Sequence, residues 1–313
     1  MEGVTTMVVV VTGGAGFIGS HLVDALVEAG HGVHVIDNLS TGARENLHPR
    51  ALLHTLDIRS AQVRDMLQDV KPEVVFHQAA QVDVSRSLQD PAQDASVNIT
   101  GTVNLLHACA TSGVRKFIYA SSCAVYGDAG NALIGENDPV APISFYGVSK
   151  LTPEAYLRVF AALHGLRFTI LRYANVYGPR QTARGEGGVV ALFLDRLKRG
   201  QPIAIHGDGE QTRDFVYVGD VVRANLAALY RGDEEMVNVS TARGTSVNQL
   251  AARLRNLHGS PIAVVNTPPR PGDIRHSRLD NTRARTVLGF APHYGMEGGL
   301  AATYAHVIGR GEK

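Results

Sequence analysis

The segment Thr12-Gly-Gly-Ala-Gly-Phe-Ile-Gly19 constrains this chain more than any other. A β-branched run, Val8–Thr12, leads into it, and Ile18, Leu22, Ala25, Leu26 and Ala29 follow at helical spacing. Gly13, Gly16 and Gly19 recur every third position between that strand and that helix. Glycine permits a tight turn, lets backbone approach a pyrophosphate and packs the helix close to its strand. The helix N-terminus adds free N–H groups and the positive end of a dipole. A second apolar run, Val33–Asp37, closes on an acid eighteen residues after Gly19. A carboxylate there bonds the adenosine ribose hydroxyls and repels a 2′-phosphate, which favours NAD over NADP. The plain alternative is a turn acid before Asn38, and Arg44 lies seven residues on.

Further strand-like runs are Glu73–Phe76, Phe117–Ser121 and Phe168–Arg172, with helical stretches near Val97–Ala110 and Val148–Leu163. Continuous apolar strands alternating with helices predict an α/β fold, a Rossmann-type doubly wound parallel sheet covered on both faces. After Arg172 the rhythm changes, and Gly, Pro, Arg and Asp cluster at Tyr177–Gly188 and Thr267–Asp273. With 313 residues, the chain divides into an expected NAD-binding domain, 1–172, and a smaller C-terminal α/β substrate domain, 173–313. Segments near 215–235 are expected to pack back on the first.

Thirty basic and 29 acidic residues leave a net charge of +1, which recommends neither nucleic acid nor an anionic membrane as partner. No apolar run reaches the length of a membrane span. The two cysteines, Cys109 and Cys123, have no CxxC spacing, so a disulfide framework is excluded and a cytoplasmic setting expected. The 13 histidines lack metal-ligand spacing and read as core or surface residues, with no metal site.

Tyr146 and Lys150 are four apart, so a helix puts them on one face. An ammonium beside a phenol favours the phenolate, which is then a usable base near neutral pH. Ser121 and Ser122 end a strand upstream, where open α/β sheets place their ligand crevice.

Glycine loop, strand-end serines and Tyr-x-x-x-Lys, in that order, resemble the extended short-chain dehydrogenase/reductase family. More narrowly they resemble its NAD-dependent nucleotide-sugar epimerases of the UDP-galactose 4-epimerase type. His77-Gln-Ala-Ala80, Ser121–Gly127, Arg172–Gly178, Gly207–Val216 and Arg270–Asp273 extend the resemblance over nearly the whole chain. It implies a catalytic set of Ser122, Tyr146 and Lys150. It implies that NAD meets Gly13, Gly16, Phe17, Ile18, Asp37, Asn38, Asp57, Ile58, Ala79, Ala80, Asn98, Tyr146 and Lys150. The UDP-sugar is implied to meet Ser85, Ser122, Tyr146, Asn175, Gly188, Val189, Arg213, Arg270, Asp273 and Ser277.

Sugar dehydratases of the family carry Asp and Glu where this chain has Cys123 and Ala124, so no carboxylate is present for elimination. The implied reaction is inversion at carbon 4. Tyr146 takes the hydroxyl proton, NAD takes hydride, and the 4-keto sugar turns over before hydride returns. Family members restricted to plain hexoses carry a bulky aromatic at position 277; Ser277 leaves room for a 2-acetamido group. The expected substrates are UDP-glucose/UDP-galactose, with UDP-GlcNAc/UDP-GalNAc as an extension; UDP-glucuronate, whose carboxylate Ser85, Arg86 and Ser87 could recognise, is the first alternative. A 4-ketoreductase and a non-catalytic NAD sensor are the other readings. A homodimer is implied, and Pro153, three residues after Lys150, is expected to disturb the helix that forms its interface.

Overall fold

The computed structural model describes residues 6–130, 132–183, 188–259, 261–269 and 274–309. The chain opens with β1 (Val8–Thr12), α1 (Phe17–Glu28), β2 (Gly32–Ile36), β3 (Leu52–His54), α2 (Gln62–Val70) and β4 (Val74–His77). Next come α3 (Val84–Gln89), α4 (Pro91–Ala95), α5 (Gly101–Thr111), β5 (Lys116–Ser122), α6 (Phe145–His164) and β6 (Arg167–Tyr173). The second half holds β7 (Asn175–Tyr177), α7 (Val189–Lys198), β8 (Ile203–His206), β9 (Thr212–Tyr217), α8 (Val218–Ala228) and β10 (Glu235–Val239). Last are β11 (Gly244–Ser246), α9 (Val247–His258), β12 (Val264–Thr267), α10 (Thr282–Leu288) and α11 (Met296–Gly309).

Seven strands form one parallel sheet in the order β10-β6-β5-β4-β1-β2-β3. The order reverses between β1 and β4, and a crevice opens at the carboxyl ends of strands at such a switch point. Both faces are covered, which explains strands as uniformly apolar as Val9–Val11. One face packs Val9, Val11 and Phe76 on Leu22 and Val23 of α1 and Val221 and Ala224 of α8. The other packs Val10, Val75 and Phe117 on Leu67 of α2, Leu105 of α5 and Leu157 of α6. A separate core holds Tyr177, Phe193, Leu194, Phe215, Leu250 and Leu300, beneath the small sheets β11-β9-β7 and β12-β8.

The crossovers are interleaved along the chain. After β7–β9 have been laid down, β10 returns to pair with β6 at the edge of the large sheet, from Glu235 opposite Thr169 to Val239 opposite Tyr173. The helical stretch near Val97 begins as a π turn, Ser96–Thr100, before becoming α5. Thr102 Oγ1 donates to the Asn98 carbonyl at 2.6 Å, and Asn98 sits at the centre of this wider turn. Such π turns recur at functional sites. α6 runs unbroken through Pro153, which is buried. Among the described residues, no helix is long and apolar enough to cross a membrane.

Candidate active site

A cavity of about 360 Å³ lies at the switch point. Gly13, Gly16, Phe17, Ile18, Asp37, Asn38, Asp57, Ile58, Ala79, Ala80, Tyr146 and Lys150 all line it. Gly13 has φ +67°, and a Cβ there would meet the Ala79 amide nitrogen at 2.7 Å. Backbone therefore passes backbone where a side chain would fill the space. α1 begins after Gly16 with no side-chain cap, so its first N–H groups are left for a ligand. Asp37 accepts from the amides of Ala15 at 2.9 Å and Leu39 at 2.8 Å, one on each oxygen. It holds the glycine loop to the end of β2 while each oxygen keeps a further lone pair. Asp57 is gripped by Arg59 through two 2.8 Å bonds and by Asn38 at 3.0 Å. The Arg59 hydrogen bonds hold its carboxyl well below the usual carboxylate range.

A chain of hydrogen bonds through His77 braces the cavity floor. The Ala79 amide donates to Thr12 Oγ1 at 3.2 Å, and Thr12 Oγ1 lies 2.7 Å from His77 Nδ1. On the other side His77 Nε2 lies 2.8 Å from Thr102 Oγ1, whose own proton goes to the Asn98 carbonyl. Thr102 must therefore accept from Nε2–H, and Thr12 must donate to Nδ1. The ring is neutral with its proton on Nε2. Burial, aided by the Lys150 charge, pushes its pKa down to about 3. Asn98 does not line the cavity. Its Oδ1 accepts from the Gln81 amide at 2.8 Å, and its Nδ2 donates to the Gln81 carbonyl and to Ser149 Oγ. It ties the loop after β4 to α6.

Tyr146 and Lys150 stand one turn apart on α6. Ser144 Oγ caps this helix by accepting the Gly147 amide at 3.1 Å, and Ser87 Oγ accepts the Tyr146 amide at 3.2 Å. Ser87, buried in α3, is thus the serine of that turn that meets the tyrosine helix. Ser85 is exposed on α3 and does not line the cavity, where its neighbour Arg86 does. Lys150 is 4% exposed, with its Nζ 5.1 Å from the centre of the Tyr119 ring. Burial pushes its pKa down to about 8, opposed by Asp94 and Glu154.

The residues that the resemblance assigns to the sugar lie on distant segments. Ser122 ends β5 and accepts the Ala124 amide at 3.2 Å. Cys123, next in the chain, lies in the electrostatic field of Arg213 and near Ser277. Burial pushes that thiol's pKa up, which leaves it a poor nucleophile. Arg213 lies in β9, and Asn175 of β7 pairs with Phe215 two residues along. The Ser277 amide donates to the Thr212 carbonyl at 3.1 Å. Gly188 precedes α7, with Val189 its first residue. Arg270 and Asp273 lie outside the described residues.

The profile of the NAD dependent epimerase/dehydratase family matches residues 9–240. The chain belongs to that family. It is 45% identical over 300 residues to the UDP-glucose 4-epimerase of Mycolicibacterium smegmatis, covering 94% of this chain and 96% of the relative. Among solved structures it resembles the UDP-glucose 4-epimerase of Thermotoga maritima with UDP-glucose, at 48% identity and a TM-score of 0.94. That match covers 96% of this chain and 98% of the other. The Thermus thermophilus UDP-glucose 4-epimerase in complex with NAD is 40% identical with a TM-score of 0.93, covering 98% of this chain and 100% of the other.

The site also holds groups to which motif reading assigned no role. Gln78 and Tyr173 line the cavity and bond each other at 3.1 Å, and both meet Asn225 of α8. Gln78 sits inside the His77–Ala80 motif and Tyr173 directly follows Arg172, so both were visible as motif neighbours. Asn225 has no local signal; it reaches the site only because α8 folds back onto the large sheet.

Proposed function

We propose that this family member is an NAD-dependent UDP-sugar 4-epimerase in which Tyr146 is the base. One observation carries the reading. Tyr146 and Lys150 share a cavity with the glycine loop and Asp37. This supports a cofactor held between the glycine loop and the tyrosine helix, with the reacting sugar beside Tyr146.

The residues fit NAD. Gly13, Gly16 and the uncapped start of α1 suit its pyrophosphate, Asp37 its adenosine ribose, and Asp57 and Ile58 its adenine. Held there, NAD would supply the acceptor and donor of the hydride at carbon 4. Every proton movement falls to the chain. Ser122 hydrogen-bonds the reacting hydroxyl, and Tyr146 as phenolate removes its proton. Lys150 holds Tyr146 in that form by its charge. After the 4-keto sugar turns over, the protonated Tyr146 returns the proton to the oxygen it receives. Arg213, with Arg270, binds the diphosphate through charge-assisted bonds; Asn175, Gly188 and Val189 line its path, and Asp273 receives the uridine ribose. Cys123 and Ala124 supply no carboxylate, so elimination of water has no general acid or base of its own there.

Ser277 is small, which supports acceptance of N-acetylated sugars beside UDP-glucose and UDP-galactose. The exposed face of α6, with Val148, Tyr156, Val159 and Leu163 between 41% and 72% exposed, supports a homodimer with a second copy of the chain. Both cysteines are free, which suits a cytoplasmic setting.

The test is a chromatographic product assay without added NAD. Separate incubations hold UDP-glucose, UDP-GlcNAc and UDP-glucuronate, each with a Tyr146→Phe control. A 4-epimer in the first or second tube, lost in the control, is the expected result. Conversion of UDP-glucuronate alone moves the substrate to the acid sugar. A need for stoichiometric NADH makes the protein a ketoreductase. No conversion even with NAD supplied overturns the reading and leaves a sensor.

A further inference from the structure

The helix that opens the cofactor site also grips the segment that follows β7. Phe17, His21 and Asp24 stand four and then three residues apart, on one face of α1. His21 Nε2 lies 2.9 Å from the Pro179 carbonyl, which can only accept, so Nε2 carries the proton and donates. Arg180 Nη2 lies 2.7 Å from Asp24 Oδ2, with the two side chains 22% and 25% exposed. The Phe17 ring, which lines the cavity, meets the His21 ring edge-on at 6.2 Å. Gly178 is wedged between two helices: a Cβ there would meet Val218 of α8 at 2.5 Å and Phe17 at 3.6 Å.

The same segment reaches the other side of the site. Arg180 has φ +67°, a left-handed conformation that a residue with a side chain keeps only where its surroundings hold it, and Asp24 is the anchor its guanidinium reaches. Gln181 comes next, and its Nε2 donates to the Val176 carbonyl of β7 at 3.2 Å. A Cβ on Gly188 would lie 3.4 Å from that Nε2, so Gln181 stands between β7 and the start of α7. Under the UDP-sugar reading, Asn175 and Gly188 line the path of the sugar nucleotide's diphosphate, and the uncapped start of α1 suits the NAD pyrophosphate. Residues 178–181 are the mechanical link between the two.

We propose that His21 and Asp24 are positioning residues that latch residues 178–181 to α1 and so couple the nucleotide-diphosphate side of the site to the cofactor helix. The inference rests on the UDP-sugar reading. Neither residue lines the cavity; each acts through Pro179 or Arg180. Without the latch, Gln181 and Gly188 can shift, so UDP binds less well while Gly13, Gly16 and Asp37 still hold NAD. Coupling between two ligands is reciprocal, so UDP should also slow the loss of NAD, and should do so less once the latch is broken.

Titration calorimetry with UDP on the enzyme as purified tests this without sugar chemistry, beside the NAD released on denaturation. Asp24→Asn and His21→Ala should each weaken UDP by about fivefold, with NAD content at the wild-type level. Asp24→Arg and Arg180→Asp should each weaken it likewise. Their combination rebuilds the ion pair in reverse and should recover most of the loss, since aspartate tolerates the left-handed position. His21→Gln keeps a donor for Pro179, should be milder than His21→Ala, and serves if that variant does not fold. Wild-type UDP affinity in folded Asp24→Asn and His21→Ala proteins overturns the latch, as does a reversed pair that recovers nothing. A parallel loss of UDP affinity and NAD content also overturns it, because a general loosening of α1 gives that result. Failure of the UDP-sugar reading looks different: the wild type itself then binds no UDP, and the coupling falls with it.

Discussion

Glu154 and Arg172 form a buried two-pronged ion pair: Arg172 Nη2 lies 2.6 Å from Glu154 Oε2, and Nε lies 3.0 Å from Oε1. Their side chains are 5% and 3% exposed. Ser121 donates to the same Glu154 Oε1 at 2.6 Å, and the Arg172 guanidinium stacks over the Tyr126 ring at 4.8 Å. Glu154 follows Lys150 by one helical turn. The pair therefore bolts the face of α6 that carries Tyr146 and Lys150 onto the ends of β5 and β6.

Removing one partner leaves a buried charge uncompensated. Glu154→Ala is expected to lose roughly 3–5 kcal/mol of stability. Equilibrium urea denaturation measures it. A loss below about 1 kcal/mol would mean that water reaches the Arg172 guanidinium and the pair is not closed.

The rate should fall on the alkaline side earlier than free lysine chemistry suggests. Burial pushes the Lys150 pKa down to about 8 from 10.5. Lys150 is charged below that point and neutral above it, so its support for the Tyr146 phenolate fades as pH rises through about 8. Lys150→Arg, whose guanidinium keeps its proton, should carry the limb to higher pH at a lower plateau. A pH–rate profile decides it; an alkaline limb at the same pH in both proteins would assign it to another group.

His77 should make the fold acid-sensitive. It stays neutral in the folded protein down to about 3, whereas an unfolded chain protonates it near 6.5. Between those values the unfolded state binds more protons, so its stabilising contribution is complete above about 6.5 and is lost as pH falls toward 3. His77→Asn keeps an acceptor for Thr12 and removes the titration. Its stability should be lower at neutral pH and depend less steeply on pH in that window. Thermal melts of both proteins from pH 7 to pH 4 give the comparison.

Gly13→Ala should cost cofactor before it costs fold. The new Cβ would press on the Ala79 amide in a backbone conformation, φ +67°, that L side chains avoid. The purified variant should retain at least about tenfold less NAD, equivalent to about 1.4 kcal/mol of binding. The NAD released on denaturation quantifies it, and wild-type occupancy would show that the loop shifts without penalty.

What could be read from the chain alone is what depends on neighbours in sequence. Strand, glycine turn and helix at Val8–Glu28 need only local backbone preferences and a hydrophobic period. Tyr146 and Lys150 share a face because 3.6 residues make a turn. Asp37 ends a strand, and its place beside the glycine loop follows from the parallel β1–β2 pairing that a βαβ unit imposes.

The rest came from contacts between residues far apart in the chain, which no local pattern encodes. Glu154 and Asn98 lie on helical turns where a single polar residue normally reads as a surface group, and packing buried them against Arg172 and Ser149. Asn225 reaches Tyr173 and Gln78 because α8 folds back across α1. Sequence period sets which face of a helix or strand is apolar; which partner that face meets, and hence which charges lose water together, is decided only when the sheet order closes.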